Sequence, residues 1–238
     1  MAARNSPIDN DVLAALRPHE CERLAPILER VGLRAGQILF ESGAPVSHIY
    51  FPGSAIVSLL CGTHGDKSCA VALTGREGIV AAFLCLDEEV PDTRAVVDTP
   101  GTCWRAPAGG IKAECARAGT LQALAVRCTI RTMVQMARTA VCNRHHKLEQ
   151  QLCRWILMTL DRSIGDSLQV THEHIAGLLG VRREGVSTAA HKLASAGLIV
   201  GYRGRIRVID RAGLEQRACE CYFSDQDERA PSLIAARA

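Results

Sequence analysis

The sequence predicts an α+β chain in three parts: an N-terminal β-roll, a long helix, and a C-terminal winged helix-turn-helix. Three observations predict it. Short runs rich in β-branched and aromatic residues, punctuated by Gly, Pro, Ser and Asp, fill the stretch from Leu33 to Pro107. A proline-free run of helix formers follows from about Ile111 to His145. The last third then holds two short helical stretches joined at a glycine, and a tight hairpin with arginine at its tip. The expected boundaries are a β-roll sensor domain over 12–112, a dimerisation helix over 113–144, a DNA-binding domain over 145–218 and a tail over 219–238.

Composition bounds the function class. The chain has 238 residues, 47% apolar and 22% charged, which is ordinary for a water-soluble globular protein with a proper core. No apolar run approaches the roughly 18 residues that a membrane helix needs. The start, "MAARNSPIDNDVLAAL", has no apolar core of signal-peptide type, so a cytoplasmic location and no membrane partner are expected. The 11 cysteines are scattered and odd in number, which fits reduced thiols in core and interface positions. The formal charge of +3 is unevenly spread. Residues 1–112 carry 10 Lys+Arg against 13 Asp+Glu, and residues 113–238 carry 18 against 12. A basic C-terminal half suits a module that binds a polyanion.

The elements follow in order. Leu13, Leu16, Leu24, Ile27, Leu28 and Val31 recur at helical spacing, interrupted at Pro18. Five segments then read as β: "GQILFE", "SHIYFPGSAIVSLLC", "SCAVALTG", "TRAVVDT" and "TCWRAP". Regularly spaced short strands suggest a sandwich or a barrel-like roll. In the long helix, Leu121, Ala125, Cys128, Thr132, Gln135, Thr139 and Cys142 form a stripe at about 3.5-residue spacing. Such a stripe suits pairing with its copy in a homodimer, or packing against the chain's own β domain. A further helix, "KLEQQLCRWILMTLDRS", places Leu148, Leu152, Trp155, Ile156 and Leu160 on one face.

The segment "VTHEHIAGLLGVRREGVSTAAHKLASAGLIVGYRGRIRVI" carries the sharpest signal. Thr171 can cap a helix whose apolar face is Ile175, Leu178 and Leu179, and Gly180 supplies a turn residue that tolerates positive φ. A second helix starts near Arg182, turns Val186, Ala190 and Leu193 inward, and stops at Gly197. Small residues Ala176, Gly180 and Val186 permit a close crossing. "LIVGY" and "RIRVI" then form a wing joined at Arg203–Gly204. Helix-turn-helix modules present the second helix to the major groove, and a wing tip reaches phosphates beside it. Double-stranded DNA is therefore the expected partner.

The order β-roll, long helix, winged helix-turn-helix resembles the Crp/Fnr family of bacterial transcription regulators. The resemblance covers nearly the whole chain. It implies a homodimer that reads an inverted repeat, with Arg183 and Glu184 contacting base edges, a role their chemistry suits: Arg pairs with guanine and Glu accepts from cytosine. Thr171, Arg182, Ser187 and Thr188 are further expected contacts, and Arg203 and Arg205 are expected on phosphates. Thr188 stands where cyclic-AMP-type members carry another arginine, so the same operator does not follow.

The resemblance also implies a β-roll of cyclic-nucleotide-binding type, with Gly78, Ile79, Thr93 and Arg94 at the effector pocket. Nucleotide-binding members use Gly-Glu for the ribose and Arg-Ser or Arg-Thr for the cyclic phosphate. Here Ile79 follows Gly78 and Ala95 follows Arg94, and Asp87, Glu88, Glu89 and Asp92 would repel a phosphate. Arg94 therefore reads as a strand-edge arginine paired with that acidic loop. A possible small-molecule effector remains open, and cyclic AMP is not expected.

Other chemistry is weaker. Cys21 stands alone where an Fnr-type iron–sulfur cluster needs several cysteines. Cys219-x-Cys221 offers metal-ligand atoms that His145 and His146 could join, but a pair near a tail reads as coincidence. His48 and His64 do not make a cupin metal set. "HEHI" lacks the second histidine of a zinc-protease helix. No cofactor, metal, catalytic residue or enzymatic activity is expected. The alternative to a DNA-binding regulator is a redox or small-molecule sensor acting mainly through the β-roll.

Overall fold

The computed structural model describes residues 9–63, 67–86 and 90–229. His64 and the acidic residues Asp87, Glu88 and Glu89 fall outside them. The chain divides into two compact units, one of residues 1–133 with 162–164 and the other of residues 134–161 with 165–238. The mixed α+β architecture matches the expected class.

The first unit opens with helix α1 (Asp11–Ala14) and helix α2 (Pro18–Leu24). Pro18 does not merely interrupt a helix: it takes the first position of a new one, where its missing N–H costs nothing. The expected helical stripe ends at Leu24. Val31 belongs instead to strand β1 (Glu29–Leu33), whose partner is β7 (Gly101–Pro107), with Val31 opposite Cys103. Strand pairing has overridden a helical pattern that rested on only three residues beyond Leu24.

The remaining strands are β2 (Ile38–Phe40), β3 (His48–Pro52), β4 (Ile56–Gly62), β5 (Ser68–Thr74) and β6 (Thr93–Thr99). They form two antiparallel sheets, ordered β1-β7-β3 and β2-β6-β4-β5. Ile49, Phe51, Ile56, Val57, Ala95, Val97, Cys103 and Ala106 are fully buried, so β3, β4, β6 and β7 all contribute to the core. Asn10 pins the entry to that core. Its side-chain oxygen accepts from the amides of Val12 and Leu13, and its Nδ2 donates to the carbonyls of Pro52 and Gly78 at 2.9 and 3.1 Å.

The expected continuous helix from Ile111 breaks in two: α3 (Ala108–Cys115) and α4 (Thr120–His145). Ala118 between them has φ 53°, in the left-handed region. Glu20 of α2, buried, caps the second helix by accepting the amides of Thr120 at 2.7 Å and Leu121 at 3.3 Å. At Gly119 a Cβ would collide with the same carboxylate, so the cap needs glycine there.

The second unit takes up the later half of α4 and contains α5 (Leu148–Leu160), β8 (Ser167–Gln169), α6 (His172–Leu179), α7 (Arg183–Ser195), β9 (Ile199–Tyr202), β10 (Arg205–Val208), α8 (Arg211–Arg217) and α9 (Glu220–Arg229). Residues 151–160 of α5 are buried all round, a fuller burial than the one-face pattern implied. The three strands form one sheet ordered β8-β10-β9. The tail expected from 219 begins as helix α9. Its Tyr222 is buried, and the phenolic oxygen accepts from Arg211 at 2.8 Å.

Candidate nucleic-acid interface

Thr171 caps α6, its Oγ1 accepting the amide of His174 at 3.1 Å. Gly180 ends α6 in the left-handed conformation, φ 67°, and Arg182 is the N-cap of α7. Ile175, Ala176 and Leu178 from α6 and Val186, Ala190 and Leu193 from α7 are buried where the two helices cross. Burying that face leaves the opposite one open: Arg182, Arg183, Glu184 and Thr188 are all exposed on the first turns of α7.

Not every expected contact is equally free. The Ser187 hydroxyl lies 3.0 Å from His172 Nδ1, linking α7 to the start of α6. Thr188 donates its hydroxyl to the Glu184 carbonyl at 2.9 Å, leaving its methyl and an oxygen lone pair outward. Arg183 Nε lies 3.9 Å from Glu173 Oε2, with both side chains more than three-fifths exposed. His172 and Glu173 were missed by sequence reasoning. Only their place in the first turn of α6 could have flagged them.

The wing is a two-residue hairpin. Tyr202 pairs with Arg205, and Arg203 and Gly204 close the turn with φ 40° and 76°. Positive φ at both central positions is the type I′ pattern, which matches strand twist. The Arg203 guanidinium carbon lies 5.3 Å from the centroid of the exposed Tyr202 ring. Arg205 is exposed, and Arg207 two residues on is held by Asp166 at 3.0 Å. Positive charge thus stands at both the helix N-terminus and the wing tip, on one small domain.

The β-roll positions look different. Ile79 is only 4% exposed, and the Gly78 carbonyl is already taken by Asn10. Burial pushes the Cys128 thiol of α4 up to about 11, and the Ile79 amide, hydrogen-bonded to that sulfur, partly opposes the rise. Arg94 is not at a strand edge of its sheet, because β6 lies between β2 and β4. Its guanidinium stands 4.0 Å from Glu41, and Thr93 beside it is half-buried. The Gly78–Ile79 side therefore offers packed apolar surface and an occupied carbonyl, not a carboxylate for a ribose.

The long-helix stripe also needs correction. Leu121, Ala125, Cys128 and Cys142 are buried within the chain itself, so a partner cannot reach them. Thr132 and Thr139 are half-buried and engaged: Thr132 donates to the Cys128 carbonyl and Thr139 accepts from Arg154. Gln135 is half-buried on the same side. Weakly polar small residues satisfied the spacing, but they line the face that packs inward.

Two short helices crossing at a glycine turn, followed by a β wing with arginine at its tip, define a winged helix-turn-helix DNA-binding domain. The family model of the Crp-like helix-turn-helix domain matches residues 150–217. Solved structures share the fold across most of the chain. A regulator of the Crp/Fnr family from Eubacterium rectale superposes with TM-score 0.68 at 14% identity, covering 89% of this chain and 99% of that one. The c-di-GMP responsive regulator CLP of Xanthomonas campestris gives 0.61 at 17%, covering 81% and 99%. FixK2 from Bradyrhizobium japonicum gives 0.61 at 13%, covering 81% and 98%. A comparison with curated proteins finds no match. Residues 150–217 thus form a Crp-like helix-turn-helix domain, and the chain as a whole shares the fold of these Crp/Fnr regulators.

Proposed function

We propose that the chain is a homodimeric, sequence-specific regulator that reads an inverted repeat in double-stranded DNA. The observation that carries this reading is the exposure of Arg183 and Glu184 in the first turn of α7, with Arg203 at the tip of the adjacent wing. Arg183 can bind guanine O6 and N7 together, Glu184 can accept from cytosine N4, and Arg203 and Arg205 neutralise phosphates. Arg182, Ser187 and Thr188 add secondary contacts, and Thr171 holds the α6 cap beside the wing.

Dimerisation is assigned to a different stripe of α4 from the buried one. Ile130, Met133 and Val141 are 54%, 63% and 53% exposed, and Ala137 is exposed between them. Spacings of three and four residues put all four on one side, the geometry of a coiled-coil seam. Selection of duplexes from a random pool, followed by binding isotherms and sedimentation of the complex, tests the reading. A monomer that binds every duplex alike overturns it.

In this reading cyclic AMP is not a tight effector, since buried Ile79 stands where the ribose carboxylate would be. Calorimetry with cyclic AMP should give no micromolar binding; c-di-GMP, to which the Xanthomonas relative responds, belongs beside it as a titrant. A second reading, redox sensing through the β-roll, is favoured by one contact. The Cys115 and Cys85 sulfurs share a hydrogen bond at 2.7 Å, both thiols are buried, and that contact holds the Cys115 thiol below its ordinary value. Gel shifts with and without reductant, with Cys115→Ser as control, separate the two.

A further inference from the structure

Four side chains of the second unit converge where sequence reading saw only a coincidental pair. Cys142 lies in the last turn of α4 and His146 one turn further on, directly after the helix ends at His145, and Cys219 and Cys221 straddle the first residue of α9. Their ligand atoms all lie within 4.8 Å of one another. Cys142 Sγ is 3.6 Å from Cys219 Sγ, and Cys221 Sγ is 3.7 Å from His146 Nδ1. The three cysteines are 1%, 2% and 6% exposed and form a small cluster of their own.

We infer that Cys142, His146, Cys219 and Cys221 form a closed tetrahedral site for one soft divalent cation, zinc by chemical class. A zinc ion with sulfur ligands at about 2.3 Å and nitrogen at about 2.0–2.1 Å spaces its tetrahedral neighbours about 3.6–3.8 Å apart. The two measured separations already fall on such edges. Three thiolates and one imidazole with no vacant position are the donor set of a structural zinc site rather than a catalytic one. His145, exposed, is not part of it.

The surroundings fit ligands rather than loose thiols. His146 Nε2 lies 3.2 Å from Glu220 Oε1, a carboxylate that fixes the ring so that Nδ1 faces the sulfurs. Cys219 directly precedes α9, whose N-terminal amides favour a thiolate. Structurally, the cation would join the end of α4 to α9 across the 72 residues between His146 and Cys219, which contain the whole winged helix-turn-helix.

The site stands independently of the DNA-binding reading, because its test needs no DNA. Full-length protein is prepared anaerobically under a phosphine reductant, loaded with zinc, exchanged into metal-free buffer and assayed for metal. One equivalent per chain is expected. Replacement by cobalt should give thiolate-to-metal charge-transfer bands together with the strong visible bands of tetrahedral cobalt. Cys219→Ser and Cys221→Ser should lose the bound metal at least tenfold more readily to a chelator, whereas Cys61→Ser, at an exposed cysteine outside the cluster, should match the parent. Because stoichiometry and spectrum are read on the unmodified chain, a variant that fails to fold does not hide the answer. A metal-free parent chain, a cobalt spectrum without thiolate bands, or a Cys142–Cys219 disulfide under these conditions would each overturn the site.

Discussion

Arg183 and Glu173 face each other across the helix-turn-helix, Nε to Oε2 3.9 Å, and both remain open to solvent. A pair this exposed and this long contributes little to stability. Its consequence lies in the proposed DNA binding, where Arg183 would turn from a carboxylate to a base edge. Arg183→Ala should weaken binding to the selected site by about 1–3 kcal/mol and relax preference at one base pair per half-site. Isotherms on selected and scrambled duplexes read this directly. Equal weakening on both would remove the base-reading role.

Arg203 should fail differently. Its expected partner is a phosphate, which carries no direct sequence information. Arg203→Ala should weaken selected and scrambled DNA alike and make the slope of log affinity against log salt shallower by about one unit for each arginine removed from a phosphate. An unchanged slope would place the wing tip away from the backbone.

The two stripes of α4 make opposite predictions. Ile130→Glu or Met133→Glu should dissociate the dimer in sedimentation while leaving the melting temperature of the chain near that of the parent, because both positions are exposed. Leu121→Ala, at a fully buried position, should instead destabilise the fold by about 2–5 kcal/mol. If Leu121→Ala changes only the oligomeric state, the assignment of faces is reversed.

Acid should loosen the start of α4. Burial of Glu20 opposes its charge, yet the amides of Arg17, Thr120 and Leu121 outweigh that penalty and hold its carboxyl below the ordinary value of 4.5. The hydrogen bonds from Arg23 hold the buried Glu114 down in the same way. A carboxyl with a lowered folded value contributes stability that is full above the ordinary value and is lost as pH falls through the folded one. Thermal melts should therefore fall steadily below about pH 4.5, and Glu20→Gln should flatten part of that fall while costing about 1–3 kcal/mol at neutral pH. A Glu20→Gln profile parallel to the parent's would rule out the cap as an acid-sensitive element.

What could be read in advance followed the strength of the local signal. Every expected strand from Ile38 to Pro107 is present, since β-branched runs between turn residues leave few alternatives. The recognition helix and wing were legible because Gly180, Gly197 and Arg203–Gly204 punctuate them at their true ends. The errors share another cause. Val31 and Cys142 were placed by spacing alone, and spacing does not say which neighbour a face meets. A partner on β7, Cys103, 72 residues away, settles the first, and Cys219 and Cys221, 77 and 79 residues away, settle the second.

Arg203 carries φ 40°, a backbone conformation that suits glycine or asparagine and strains an arginine by something on the order of 1 kcal/mol. The wing therefore keeps its charge at the expense of its own turn. A screen that rewards heat resistance alone would drift toward asparagine or glycine at this position, relaxing the hairpin and discarding the guanidinium stacked on Tyr202. On the proposed role, robustness and grip on DNA pull this one residue in opposite directions, so a thermally improved variant of this chain should bind DNA more weakly unless both properties are selected together.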